Sequence, residues 1–293
     1  VSRATVAFPG TCGELFQGTV DGVLCLVSCP IDMMSRIEVS CADGAGLSVP
    51  SAMSKTRRAL EIALADGRVR VDGRVAVRRV ESLPEGKGYA SSTADILGAL
   101  YGLARLSGAE LEPGEATRIA LEVEPTDSIA WPGLALLDHR GGRRSELLGA
   151  PPPMAVLVID EGGSVDTEEF NRADRAEILS SQARTHEEAF SALADGLRRG
   201  DPAAVGEAAT ESAKACGLIL AKPWLDRCLS LCRSLGGYGV CTAHSGTLYG
   251  VLLPVSLLVD RAAVLEAARR HLPEAAGLSL HTLVPGGPRF GVD

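Results

Sequence analysis

Leu83-Pro-Glu-Gly-Lys-Gly-Tyr-Ala-Ser-Ser-Thr-Ala-Asp-Ile-Leu97 lies between two different hydrophobic periods. Ahead of it, Arg68 to Val80 alternates apolar and polar residues through Val69, Val71, Val75 and Val77, the pattern of a half-buried strand. Behind it, Ala94, Ile96, Leu97, Leu100, Leu103 and Leu106 recur at helical spacing, which predicts a helix from the serines to about Leu106. Gly86 and Gly88 let the connecting backbone turn tightly and come close to a ligand. Ser91, Ser92 and Thr93 fall where N-caps are favoured, and the free N–H groups of a first helical turn sit at the positive end of its dipole. Such a loop suits an anion, phosphate above all, and a hydroxyl at the helix start can ligate the magnesium that accompanies a nucleotide. The segment matches neither the Walker nor the dinucleotide pattern, so a plain glycine-rich turn with an ordinary cap is the competing reading.

A second feature follows downstream. The spacing predicts a helix from about Glu115 through Val123, stopped at Glu124 by Pro125. Glu124 and Asp127 then sit at the negative end of that helix, a poor place for acids unless a cation is held there. Phosphoryl transfer needs two such carboxylates, one to hold the metal that bridges the phosphates and one to accept or orient the proton of the attacking hydroxyl. An exposed acidic turn is the plainer alternative.

The remaining chain reads as alternating elements. Residues 4–8 form a short strand, and Pro9 to Gly18 a shaped loop because proline and closely spaced glycines interrupt regular structure. Val23–Pro30 and Ser35–Ser40 are strands, and Ser54–Ala65 is an amphipathic helix capped by Ser54, with Lys55, Arg57 and Arg58 on a solvated face. Lys55 reaching a phosphate is the alternative. A strand at 133–137 and a turn at 138–142 precede Pro151-Pro-Pro153, which divides the chain into residues 1–150 and 151–293. Beyond it come a strand at 154–160, a long helix entered through Asp166–Arg172 and reaching about Arg199, and helices at 202–217, 223–235 and 260–271. Strands at 238–242, 247–253 and 278–284 complete an α+β arrangement. His244 lies in the glycine-bearing turn 243–246 with no acid near it in sequence, so that turn reads as a cover over bound phosphates rather than a catalytic histidine.

With 293 residues, 46% hydrophobic and 23% charged, the chain can bury a large core and is not disordered. A net charge of -8 leaves no electrostatic footprint for nucleic acid or an anionic membrane. The start, Val1 to Pro9, lacks the apolar core behind a basic start that a signal peptide is expected to show, and the most apolar run, Thr247 to Val259, is broken by Gly250 and Pro254. Eight scattered cysteines without a C-x-x-C pair read as reduced thiols of a cytoplasmic protein.

Three segments resemble the GHMP kinases in order and spacing: Pro9-Gly-Thr-Cys-Gly-Glu14, Pro84 to Ala94, and Gly236 to Thr247. In finer detail, Cys12–Gly18, Lys87–Ile96, Glu124–Ser128 and Val165–Arg172 resemble the L-threonine kinases of cobalamin synthesis. The resemblance implies a two-domain α+β fold. Its N-terminal domain, nucleotide- and phosphate-binding, is of the ribosomal-S5 type, the C-terminal one is ferredoxin-like, and the site lies between them. It also implies transfer of phosphate from ATP, with Mg2+, to L-threonine. The product, O-phospho-L-threonine, would feed the cobalamin nucleotide-loop linker. Pro84, Gly86, Lys87, Gly88, Tyr89, Ala90, Ser91, Ser92 and Thr93 would hold ATP, with the N–H groups of 86, 88 and 90–92 on the triphosphate. Ser92 and Glu124 would ligate Mg2+, and Asp127 would act as base or orient the hydroxyl. Glu14, Gln17, Ser245 and Gly246 would meet the acceptor. Where the wider family carries Leu-Gly before the two serines, this chain has Tyr89-Ala90. A homoserine-like acceptor, or a silent sensor of the same fold, are the alternatives.

Overall fold

The computed structural model describes residues 2–67, 69–163, 176–217 and 220–291. Two long strands, β1 (Ser2–Val20) and β2 (Val23–Ala42), form its spine, joined by a tight turn at Asp21-Gly22. The segment expected to be a loop is therefore strand. Register shifts at Pro9/Gly10, Thr11/Glu14 and Glu14/Phe16 absorb the proline and glycines as bulges, which bend the strand without ending its pairing. The same pairing fuses the two strands expected within 23–40 into β2.

β3 (Leu47–Ser48), α1 (Ser54–Ala65) and β4 (Arg74–Glu81) follow. β4 starts later than the alternation suggests, because Val69 and Val71 precede a bend at Asp72-Gly73, although Val69 is buried. Ser54 is not a side-chain cap for α1. α2 (Ser91–Ser107) is buried on nearly every side from Thr93 to Ala104, as expected of a central helix that is apolar all round. Gly102 lets it lie close on β2: a Cβ there would sit 2.5 Å from Val39 Cγ2. α1 packs on α2, and Leu60, Ile96, Leu100 and Leu103 meet Ile37 and Val39 of β2 in one apolar cluster.

α3 (Pro113–Leu121) opens with Glu112 and Glu115 in a reciprocal capping box, then leads through β5 (Leu134–Leu137) and β6 (Ser145–Gly149) to β7 (Met154–Asp160). β6 was not visible in the sequence pattern. Pro151–Pro153 fall between β6 and β7. Next come α4 (Ala176–Ser181), α5 (Ala183–Arg199), α6 (Pro202–Cys216), α7 (Leu225–Ser234), β8 (Gly239–Thr242), β9 (Leu248–Pro254), α8 (Arg261–His271), β10 (Gly277–Thr282) and β11 (Arg289–Phe290). Val165–Arg172, one of the segments carrying the threonine-kinase resemblance, lies outside the described residues.

Among the described residues, eleven strands make one sheet with the path β10-β7-β9-β8-β1-β2-β4-β3. The halves join where Glu14 of β1 pairs with Thr242 of β8. On the C-terminal side, Leu157, Ile159, Val251 and Leu280 pack under Leu231 and Val264 of α7 and α8. The mixed α+β architecture expected from the sequence is present. No helix of the described residues is long and apolar enough to cross a membrane.

Candidate active site

A cavity of about 580 Å³ opens at the N-terminus of α2 and is lined there by Gly86, Gly88, Tyr89, Ala90, Ser91, Ser92 and Thr93. Gly86, Gly88 and Ala90 all have positive φ (72°, 104° and 57°), so alternate residues of the loop are left-handed and its amides turn to one side. The carbonyls are tied back the other way. Lys87 O accepts from Thr247 N at 2.9 Å, Gly88 O from Gly13 N and Thr11 Oγ1 at 3.2 and 3.0 Å, and Tyr89 O from Thr11 N at 3.1 Å. From Gly88 to Thr93 no backbone N–H is donated within the described residues; the first intrahelical bond is Ala94 N to Ala90 O at 2.9 Å. The helix start has no side-chain cap, because its N-cap is Ala90 and not a serine. Free N–H groups at a dipole's positive end, facing a cavity, make an anion site. Ala90 takes the left-handed conformation that glycine favours, which reconciles Tyr89-Ala90 with the family's Leu-Gly.

The acids expected opposite this helix are there. Ser92 Oγ donates to Glu124 Oε1, and Lys55 Nζ lies 2.5 Å from Glu124 Oε2. Lys55 also lines the cavity, so it is part of the site and not only a solvated face. Thr93 Oγ1 donates to Asp127 Oδ2 at 3.3 Å, and Ser28 Oγ to Asp127 Oδ1 at 3.1 Å. Burial pushes the Asp127 carboxyl up to about 7, with the nearby charges of Glu14 and Glu124 adding to it and the bonds from Ser28 and Thr93 opposing it. A carboxylate tuned near neutrality is suited to taking a proton.

The hydroxyl of Ser92 and the carboxylate of Glu124 are hard oxygen donors in contact with each other on the cavity wall. That donor set fits Mg2+, which takes one or two protein oxygens and completes its shell with phosphate and water.

The turn 243–246 is built against the phosphate loop. A Cβ on Gly246 would fall 2.2 Å from Lys87 O, and one on Gly88 would fall 2.5 Å from Ala243 Cβ. Lys222, buried above the Tyr249 ring, donates from Nζ to Gly246 O at 2.8 Å and pins the turn. Burial lowers its pKa.

Not every expected residue faces the cavity. Lys87 turns away: its Nζ is 2.5 Å from Asp160 Oδ2, and Asp160 Oδ1 accepts from Thr247 Oγ1 at 2.8 Å. Its side chain is thus a strut to the C-terminal half, not a phosphate ligand. Gln17 and Pro84 are not among the residues lining the cavity; Gln17 N instead bonds Ser212 Oγ of α6 at 3.0 Å. Ser245 and Glu14 do line it, whereas Gly246 packs behind on the loop. Two acid–base partnerships have no signal in the sequence because their members are far apart. Glu14 Oε2 accepts from His244 Nδ1 at 2.7 Å and from His244 N at 3.0 Å across 230 positions, and Lys87 meets Asp160 across 73.

Comparison with known proteins bears on this arrangement. The model of the GHMP kinases N terminal domain matches residues 51–131 and that of the GHMP kinases C terminal region matches residues 193–275. L-threonine kinase from Salmonella typhimurium is 33% identical over 250 residues, covering 85% of this chain and 83% of that protein. L-threonine kinase from Citrobacter freundii is 32% identical over 250 residues, covering 85% of this chain and 86% of that protein. In fold, homoserine kinase from Cytophaga hutchinsonii superposes with a TM-score of 0.76 at 15% identity, covering 99% of this chain and 98% of that one. Lactococcus lactis galactokinase superposes with a TM-score of 0.72 at 12% identity, covering 98% and 95%.

Proposed function

We propose that this chain, which belongs to the GHMP kinases and phosphorylates a hydroxyl group, takes the side-chain hydroxyl of L-threonine as its acceptor and ATP as its donor. Likeness to two proteins named as kinases across 85% of the chain favours turnover over the silent-sensor alternative. The observation that supports threonine over homoserine is the likeness to two L-threonine kinases across 85% of the chain, against a fold-level likeness alone to homoserine kinases.

In this reading the γ-phosphoryl group sits at the N-terminus of α2. The unpaired N–H groups of Gly88 to Thr93 neutralise the charge that spreads over its oxygens, so catalysis is positioning and electrostatic stabilisation without a covalent intermediate. Asp127 accepts or orients the proton of the attacking hydroxyl. Its place beside Thr93 and Ser28 keeps it within reach of both the phosphate and the acceptor. Ser92 and Glu124 would hold Mg2+, which would supply positive charge to offset that of the phosphates. Glu14, a carboxylate on the cavity wall, is suited to the ammonium of an amino-acid acceptor.

The product is O-phospho-L-threonine. Its use in the cobalamin linker, and a cytoplasmic setting for which the eight free thiols speak, rest on the sequence resemblance and on thiol chemistry. A coupled ADP-release assay across L-threonine, L-serine, L-homoserine and mevalonate tests the acceptor. Threonine should give the highest kcat/KM, and preference for homoserine or mevalonate would refute it.

A further inference from the structure

The reading of L-threonine as acceptor leaves open how the cavity holds an amino acid and not just any alcohol. Glu14 is only 8% exposed, yet it lines the cavity. Its Oε2 is saturated by two donors from one residue, His244 N and Nδ1, while Oε1 has no hydrogen-bond partner among the described residues. His244 donates to that one oxygen through both its backbone N–H and its imidazole Nδ1, and the paired contacts orient the carboxylate. His244 is itself 3% exposed and held in the turn that Lys222 and Lys87 lock in place, so the grip is rigid. What remains for the cavity is the other carboxylate oxygen, Oε1, held in a fixed place. In the sheet Glu14 stands between Ser28 of β2 and Thr242 of β8, and Ser28 bonds Asp127. The anchor and the proton acceptor are therefore linked through Ser28, which pairs with Glu14 in the sheet and donates to Asp127.

The geometry points to His244 as a positioning residue that holds Glu14 as an ammonium anchor and so restricts the kinase to acceptors bearing an α-amino group. It touches neither phosphate nor the reacting hydroxyl and acts through Glu14. A site built to pair with a charged group rejects the analogue lacking it far more strongly than an apolar pocket rejects a missing methylene.

This inference rests on the amino-acid reading above, and the test separates the two. Steady-state kinetics compare L-threonine with 3-hydroxybutyrate, the same alcohol without the ammonium, in wild type, His244→Leu, His244→Gln and His244→Asn. Asparagine can place an amide N–H near the position of Nδ1; glutamine and leucine cannot. The Leu and Gln variants should raise KM for L-threonine by on the order of tenfold or more with KM for ATP unchanged. Their preference for L-threonine over 3-hydroxybutyrate should fall by a similar factor, and His244→Asn should restore most of it. The Gln variant keeps the test open if Leu at this buried position does not fold. Wild type active on threonine, with folded variants that keep the preference or lose affinity for both substrates alike, overturns the positioning role and leaves the acceptor reading standing. Wild type that turns over mevalonate but no amino acid overturns both.

Discussion

Asp127→Asn should separate two properties that usually fall together. In the native chain the carboxyl is held at about 7, against an ordinary value of 3.8, because burial and the nearby acids disfavour its charge. Below the ordinary value both folded and unfolded chains are protonated there and the group contributes nothing. As pH rises the unfolded chain ionises first, so native stability drops until the folded group also ionises near 7. A shift of about three units corresponds to a penalty of roughly 4 kcal/mol, which persists above that pH. Asparagine cannot ionise and escapes it, while giving up at most about 1 kcal/mol for each weakened bond from Ser28 and Thr93. Without nucleotide or metal, the variant should therefore be more stable than wild type by roughly 2–4 kcal/mol at pH 8, and the gap should shrink by about 2–3 kcal/mol at pH 5. Turnover should fall by on the order of 10²-fold, because the amide cannot accept the hydroxyl's proton. Wild-type kcat/KM should itself rise with pH through about 7 as Asp127 ionises. Urea unfolding at the two pH values, with ADP-release kinetics on the same samples, reads both. A stability gap that does not change with pH, or turnover close to wild type, would refute the assignment.

Other positions give sharper geometric tests. Gly246→Ala places a methyl carbon against the Lys87 carbonyl, 2.2 Å away before relaxation, and should lower kcat/KM for ATP at least about tenfold by displacing the phosphate loop; thermal melts alongside the kinetics check that the fold survives. Lys87→Met leaves Asp160 without its cation and should cost roughly 1–3 kcal/mol at pH 7, while KM for ATP stays within about threefold of wild type because the ammonium faces Asp160 and not the cavity. Lys87 is among the groups that hold the Asp160 carboxyl below its ordinary value despite burial, so this contribution should vanish as pH falls below the usual aspartate range. Ala90→Gly relieves a left-handed alanine at the cost of a freer unfolded chain; stability should move by less than about 1 kcal/mol with turnover retained, whereas Ala90→Val should inactivate, as ADP release will show.

The local parts of this site were legible because they are written in local patterns. Glycine spacing and a change from strand to helical period place Ser92 without reference to the rest of the chain. By contrast, α3 ends at Leu121, short of the stop at Glu124 that Pro125 suggests, so that Glu124 and Asp127 sit in the segment after it. What escaped was set by distant partners. The stretch from Pro9 to Gly18 has the composition of a loop, and only its pairing with β2 and β8 makes it strand. Lys87 sits in the phosphate loop yet spends its charge on Asp160, and Glu14 finds His244 through a sheet junction that no spacing encodes. Gln17 is the converse case. Three residues from Glu14, it lies off the cavity wall, and its backbone meets α6.

Crystallography of the chain with a non-hydrolysable ATP analogue, Mg2+ and L-threonine tests the central assignment most directly. The β- and γ-phosphates should lie on the N–H groups of Gly88 to Thr93, with the metal on Ser92 and Glu124 and the threonine hydroxyl beside Asp127. Phosphates bound elsewhere in the molecule, with the start of α2 left to solvent, would contradict it.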